Sequence, residues 1–191
     1  MPGKLTIAHI RYKTLGEEKI ENTHPFVKGI NNEKWVFAHN GSIIDPKVFD
    51  IFIQQEAKGD TDSERVFCYI AQNLREKNDR NLEYKIKVIE KSIKELAPYG
   101  KLNLLLSDGK HLFIHTNFKD SLYKYSGKGH VCFSTRPLTN IVKKDEWSSV
   151  ELNRLFVYFN GELIYRGRSH GYEYFKKRNI TNTHEWSERY V

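Results

Sequence analysis

The strongest constraint on how this chain can fold is a change of hydrophobic period at Pro98. Before it, Leu82, Ile86, Ile89, Ile93 and Leu96 recur at steps of four, three, four and three, which gathers apolar side chains on one face of an α-helix. After it, apolar residues fall into short runs divided by turn dipeptides. Residues 102–107 and 111–116 read as strands joined by Asp108-Gly109, and 155–159 and 162–166 as strands joined by Asn160-Gly161; both dipeptides suit tight hairpins. Residues 121–125 and 130–134 fit two further strands. Helical and strand periods follow one another with no repeat, low-complexity stretch or linker, so the chain is expected to form one α+β domain over 1–191.

The first third adds detail. Residues 5–10, with Leu5, Ile7 and Ile10, read as a buried strand, followed by a polar loop from Thr14 to Asn22. A second strand at 34–38 is expected to stop at His39-Asn40-Gly41. Asp45-Pro46 starts a helix expected to reach Ala57, with Asp as cap and Pro in the first turn. Thr61-Asp62-Ser63-Glu64 reads as a capping box opening a helix to Arg75, in which Glu64 reaches back to the cap.

Composition narrows the class. Hydrophobic residues make up 39% of the chain and aromatic ones 13%, enough to fill a core and too many for a disordered chain. No apolar run approaches a membrane span and the N-terminus lacks a signal-peptide core, so a soluble, cytoplasmic protein without membrane contact is expected. Two cysteines, Cys68 and Cys132, are too few for a disulfide framework. The formal net charge of +7 raises nucleic-acid binding as a rival reading, centred on the basic and aromatic residues of 166–178. The charge is otherwise dispersed among acids, and a solvated surface is the better reading of that segment.

Polar residues of the first third concentrate at the expected strand ends. Asn40-Gly41 after a strand can offer a side-chain amide and a backbone N–H together, the donor pair an oxyanion needs. Arg11, with Thr14 nearby, has the planar fork that clamps a carboxylate. Asp62 in the first turn of a helix can hold an ammonium or simply favour the helix dipole. His9, His24 and His39 follow no zinc-ligand spacing, so neither metal nor cofactor is expected.

Taken in order, His9-Ile10-Arg11-Tyr12-Lys13-Thr14, Asn22-Thr23-His24-Pro25-Phe26, Phe37-Ala38-His39-Asn40-Gly41 and Thr61-Asp62-Ser63-Glu64 resemble the class II glutamine amidotransferases, which are N-terminal-nucleophile hydrolases. The nearest likeness is to the stand-alone amidotransferases. Ser107-Asp108-Gly109-Lys110, Ser134-Thr135-Arg136-Pro137-Leu138 and Glu146-Trp147 resemble later landmarks, so the likeness spans roughly residues 5–165. It implies an αββα sandwich of two mostly antiparallel sheets with outer helices. It also implies that Arg11, assisted by Thr14, binds the α-carboxylate of glutamine, that Asn40 and Gly41 form the oxyanion hole, and that Asp62 holds the α-ammonium. His39 and His24 would shape the pocket. The ligand would be glutamine or a γ-glutamyl compound, hydrolysed to glutamate and ammonia.

The family nucleophile is a cysteine at residue 1 of the mature chain, on a strand well upstream of the His-x-Arg motif. Here that motif begins at His9, position 1 is methionine, and Cys68 and Cys132 read as core residues. The 191 residues are therefore expected to lack the N-terminal strand region and to release no ammonia by themselves. A homo-oligomer or a second chain is expected to fill the open position in the sheet. A non-catalytic relative that binds glutamine or a γ-glutamyl compound is the alternative reading.

Overall fold

In the computed structural model, residues 5–10, 17–44, 49, 51–77, 79 and 81–175 are described. Chain order runs β1 (Phe26–Ile30), β2 (Glu33–Ile43), α1 (Ile51–Glu56), α2 (Asp62–Arg75), α3 (Leu82–Leu96), β3 (Gly100–Ser107), β4 (His111–Thr116), β5 (Tyr123–Gly127), β6 (His130–Ser134), β7 (Trp147–Ser149), β8 (Arg154–Phe159) and β9 (Glu162–Arg166). Six strands hydrogen-bond in the order β1-β2-β3-β4-β8-β9, and three in the order β6-β5-β7. Every recorded pairing is antiparallel.

The period change at Pro98 becomes a change of layer. The α3 stripe of Ile86, Ile89, Ile93 and Leu96 and the α2 residues Val66, Phe67, Ile70, Ala71 and Leu74 are buried together. They pack on the face of the large sheet formed by Trp35, Phe37, Leu102, Leu104, Leu106, Phe113, Leu155 and Val157. Phe37 and Phe67 stack at 5.1 Å across that junction. Each large side chain buried there contributes about 1.5–3 kcal/mol, which fixes the orientation of α2 against β2. The opposite face, with Leu105, Leu112, Ile114, Phe156 and Tyr158, packs against Val131 and Phe133 of the small sheet. The result is the α+β arrangement of two stacked antiparallel sheets, with α2 and α3 outside the larger one.

Helix ends follow the sequence signals closely. Asn81 caps α3 by accepting from the Glu83 N–H at 2.8 Å, and Asn117 braces its exit, donating to the carbonyls of Ala97 and Gly100. Thr61 caps α2 by accepting from the Glu64 N–H at 3.2 Å. Glu64 departs from the expected box: its carboxylate accepts from the Lys58 and Gly59 N–H groups at 3.0 and 2.6 Å. It ties down the preceding loop rather than the cap.

Four other expectations need correction. Residues 5–10 join no sheet; they alternate between half-buried and exposed, and Ile10 is 98% exposed. Only one side of this segment meets the protein, where it borders the space between the sheets, so burial on both faces never arises. The strand expected at 34–38 runs on to Ile43, because β3 pairs with it from Val36 to Ile43. Within the expected region 45–57, helix is present over Ile51–Glu56; Asp45-Pro46 lies outside the described residues. Finally, an open central position was expected, but the six strands of the large sheet hydrogen-bond in unbroken succession among the described residues. Strands β1 and β7 were not foreseen. Among the described residues no helix is long and apolar enough to cross a membrane.

Candidate active site

The site is organised by strand β2, whose side chains alternate between two environments. Phe37, His39, Gly41 and Ile43 turn toward the helices, whereas Ala38 and Asn40 turn toward the small sheet. Asn40 pairs in register with Asn103 of β3. The two border a cavity of about 290 Å³ that Leu122, Phe133 and Thr135 close from the small-sheet side and His9 from the segment before β1.

Backbone polarity alternates as well. Leu102 donates its N–H to Asn117 Oδ1 at 2.7 Å and accepts at its carbonyl from His115 at 2.7 Å, both on the β4 side. Its register partner Gly41 therefore belongs to a non-hydrogen-bonded pair and turns its N–H away from β3. On that flank the β1 ladder has ended at Phe26–Phe37, so among the described residues no strand pairs with this stretch of the β2 edge. Ile43, two residues on, turns the same way and donates its N–H to Asp62 Oδ2 at 2.7 Å. The Gly41 N–H and the Asp62 carboxylate thus share one flank of β2, with the Asn40 side chain beside them.

Glycine is required at 41 by space rather than by φ. A Cβ there would lie 1.9 Å from the Lys101 carbonyl oxygen and 2.5 Å from His39 Nε2. His39 occupies that space. Its Nε2 is 3.0 Å from the Lys101 carbonyl and its Nδ1 3.0 Å from Ser63 Oγ. A carbonyl only accepts, so the proton sits on Nε2 and Nδ1 accepts from the Ser63 hydroxyl. Burial pushes this imidazole below its ordinary pKa, against the opposing pull of Asp62. His39 is a neutral brace between α2 and β3.

His24 stacks on His9 at 4.2 Å and edge-on to Phe26 at 4.5 Å, and His9 lies near enough to His39 to depress its protonation further. The structure thus brings the three histidines into one neighbourhood. Among the described residues, however, no group of three or more His, Cys, Asp or Glu could hold a metal ion. Arg11 and Thr14 lie outside the described residues.

Two features escaped the sequence reading. Asn103, 2% exposed, is held by Ser121 and Thr116 through its amide nitrogen and oxygen, which makes the cleft floor rigid. Lys101 of β3 donates from Nζ to Asn40 Oδ1 at 2.6 Å. Only the cross-strand register, which a single sequence does not display, reveals either.

Neither cysteine lines the cavity. Cys68 is fully buried in α2, and burial pushes its thiol up. Cys132 of β6 is half-buried and raised for the same reason. In the basic C-terminal segment, Arg166 is paired with Glu151 through both Nε and a terminal nitrogen, so part of that charge is already neutralised. Residues 176–178 lie outside the described residues.

Comparisons with known proteins converge. The family described as class-II glutamine amidotransferases matches residues 2–127. A Haemophilus influenzae protein named "Putative glutamine amidotransferase" is 39% identical over 186 residues, covering 83% of this chain and 61% of that protein. The chain thus spans about three-fifths of that relative's length. Among solved structures, a predicted glutamine amidotransferase from Pseudomonas aeruginosa superposes with a TM-score of 0.65 at 22% identity, covering 76% of this chain and 66% of that one. The glutamine phosphoribosylpyrophosphate amidotransferase from B. subtilis superposes with a TM-score of 0.59 at 15% identity, covering 81% of this chain and 33% of that one. These two likenesses show that the chain shares the fold of those amidotransferases.

Proposed function

Because this chain belongs to the class II glutamine amidotransferases, we propose that the open flank of β2 binds glutamine or a γ-glutamyl amide for hydrolysis to glutamate and ammonia. Glutamine is a zwitterion carrying a neutral amide, so its site needs an anion, a cation and an oxyanion pocket. Asp62 supplies the anion for the α-ammonium. Arg11 supplies the cation for the α-carboxylate by its place in the His-x-Arg motif. Asn40 Nδ2 and the Gly41 N–H supply the oxyanion donors. The observation that carries this reading is the shared flank: the Gly41 N–H and the Asp62 carboxylate lie on the side of β2 that β1 leaves open.

In this reaction a cysteine sulfur attacks the γ-carbonyl carbon, and the C=O electron pair moves to oxygen, where Asn40 and Gly41 receive it. Collapse breaks the C–N bond, and ammonia leaves as its nitrogen takes up the thiol-derived proton. Water then hydrolyses the thioester through a second oxyanion. The nucleophile implied by the family is an N-terminal cysteine, and neither Cys68 nor Cys132 fills that role. Among the described residues neither Cys68 nor Cys132 lines the cleft, which favours a second reading, a glutamine or γ-glutamyl binder without chemistry.

The test is ammonia release from L-glutamine by a form of the protein that carries an N-terminal cysteine, compared with the same protein carrying Asn40→Ala. Losing one oxyanion donor costs about 2.7–4 kcal/mol, a fall in kcat of roughly 10²–10³ with little change in affinity. Equal rates would remove Asn40 from the mechanism. Binding without ammonia release by that form would favour the non-catalytic reading.

A further inference from the structure

We propose that Lys101 is a positioning residue that sets which end of the Asn40 side chain faces the ligand. The inference rests on the reading of Asn40 as an oxyanion donor. An asparagine amide has an accepting end and a donating end of nearly the same shape. Only the donating end can stabilise a developing oxyanion; the accepting end would repel it. Asn40 is exposed on the cleft face, and its own backbone does not dictate which way the amide turns.

Lys101 resolves the choice by chemistry. An ammonium carries three donors and no acceptor, so it engages Oδ1 and never Nδ2. The Nζ–Oδ1 distance of 2.6 Å is a short charge-assisted bond. With Oδ1 held toward β3, Nδ2 turns outward to the cleft. The lysine is itself constrained: it sits in β3 opposite Ser42, and its Nζ lies 5.3 Å from the centre of the Phe118 ring.

The lysine is also tied to the rest of the site through its backbone. Ser63 Oγ donates to His39 Nδ1, His39 Nε2 donates to the Lys101 carbonyl, and Lys101 Nζ donates to Asn40 Oδ1. The donors run in one direction from the first turn of α2, beside Asp62, to the Asn40 amide. The residue that would hold the ligand ammonium and the one that would hold its amide oxygen are thus anchored to one hydrogen-bonded chain.

The inference is tested by nuclear magnetic resonance of the Asn40 side-chain amide, assigned by its loss in Asn40→Ala. It is followed in the wild type and in Lys101→Arg, Lys101→Met and Lys101→Glu, with backbone spectra confirming that each variant is folded. Arginine is also donor-only and should keep the wild-type signal. Glutamate is acceptor-only: it should capture Nδ2, move one amide proton downfield and abolish its response to added L-glutamine or L-glutamate. Methionine should leave the amide free to turn, with an intermediate signal. In a form of the protein that carries an N-terminal cysteine, kcat should fall by about tenfold for Met and further for Glu, with Arg near wild type, since losing a donor outright costs roughly 10²–10³. An Asn40 signal unchanged in both Lys101→Met and Lys101→Glu would overturn the proposal. A wild-type signal indifferent to both ligands would instead count against the glutamine reading, while the ligand-independent shift in Lys101→Glu would still decide the role of Lys101.

Discussion

Lowering the pH from about 7 to about 5 is expected to destabilise the fold through one pair of imidazoles, His115 buried and His170 half-buried. His115 of β4 is fully buried and lies 2.9 Å, Nε2 to Nε2, from His170 in the segment after β9. The tautomers follow from the outer partners. The Tyr172 N–H donates to His170 Nδ1 at 3.1 Å, so the His170 proton is on Nε2 and points at His115. His115 Nε2 accepts it, and His115 Nδ1–H donates to the Leu102 carbonyl. No nitrogen is left to take a proton without breaking a bond. Burial, with the neighbouring His170, pushes His115 down to about 3, and burial, with the charge of Lys94, pushes His170 down to about 4. Both fall below the ordinary value of 6.5, so between these values the unfolded chain binds protons that the native state refuses. Stability is therefore intact above the unfolded value and is lost as pH falls toward the folded ones. Over the stated interval each imidazole contributes a loss of about 2 kcal/mol, hence about 4 kcal/mol for the pair. Urea unfolding at the two pH values reads this directly. His170→Gln keeps a donor to His115 but cannot titrate, so its loss should be smaller by about 2 kcal/mol; contributions from other histidines cancel in the difference. Equal losses in wild type and variant would refute the reasoning.

Two further substitutions test the packing of β2 and β3, one at the site and one at the opposite end of the pair. Gly41→Ala forces a methyl group against the Lys101 carbonyl and His39, so β2 and β3 must shift; a loss of about 1–3 kcal/mol in urea unfolding is expected, and unchanged stability would show that the space is available. Lys85→Met removes the ammonium that lies 2.7 Å from Asp108 and 2.8 Å from Glu33. Burial works to raise the Asp108 carboxyl, but the His111 N–H and Lys85 lead the bonds that hold it down at about 2. With Lys85 gone that buried charge is uncompensated, a loss of about 3–5 kcal/mol by urea unfolding, whereas a loss below about 1 kcal/mol would mean that His111 and the backbone suffice.

Much of the fold was legible wherever one local signal settled one choice. The α3 stripe placed Leu82–Leu96, and Asn160-Gly161 placed the last hairpin, where both residues take positive φ, 49° and 83°. What stayed hidden depended on partners distant in sequence. Strand β1 follows from Asn31-Asn32, which form the turn into β2 with φ of 50° and 60°, a signal weaker than Asn-Gly. The extension of β2 through His39, Asn40 and Gly41 depends on pairing with β3 some sixty residues later. In the site, His39, Asn40, Gly41 and Asp62 were named from motifs, and His24 proved to lie beside His9. Lys101 and Asn103 were invisible because their importance lies in facing Asn40 across a strand pair.

The central claim is that the open flank of β2 recognises both ends of a glutamine-like ligand. Its most direct test is calorimetric titration of L-glutamine and L-glutamate into the wild-type chain and into Asp62→Ala. The wild type should bind at least one of the two, and the substitution should abolish that binding, because the ligand ammonium loses its counter-charge on desolvation. Wild-type binding that survives Asp62→Ala unchanged, or no wild-type binding of either ligand, would contradict the account.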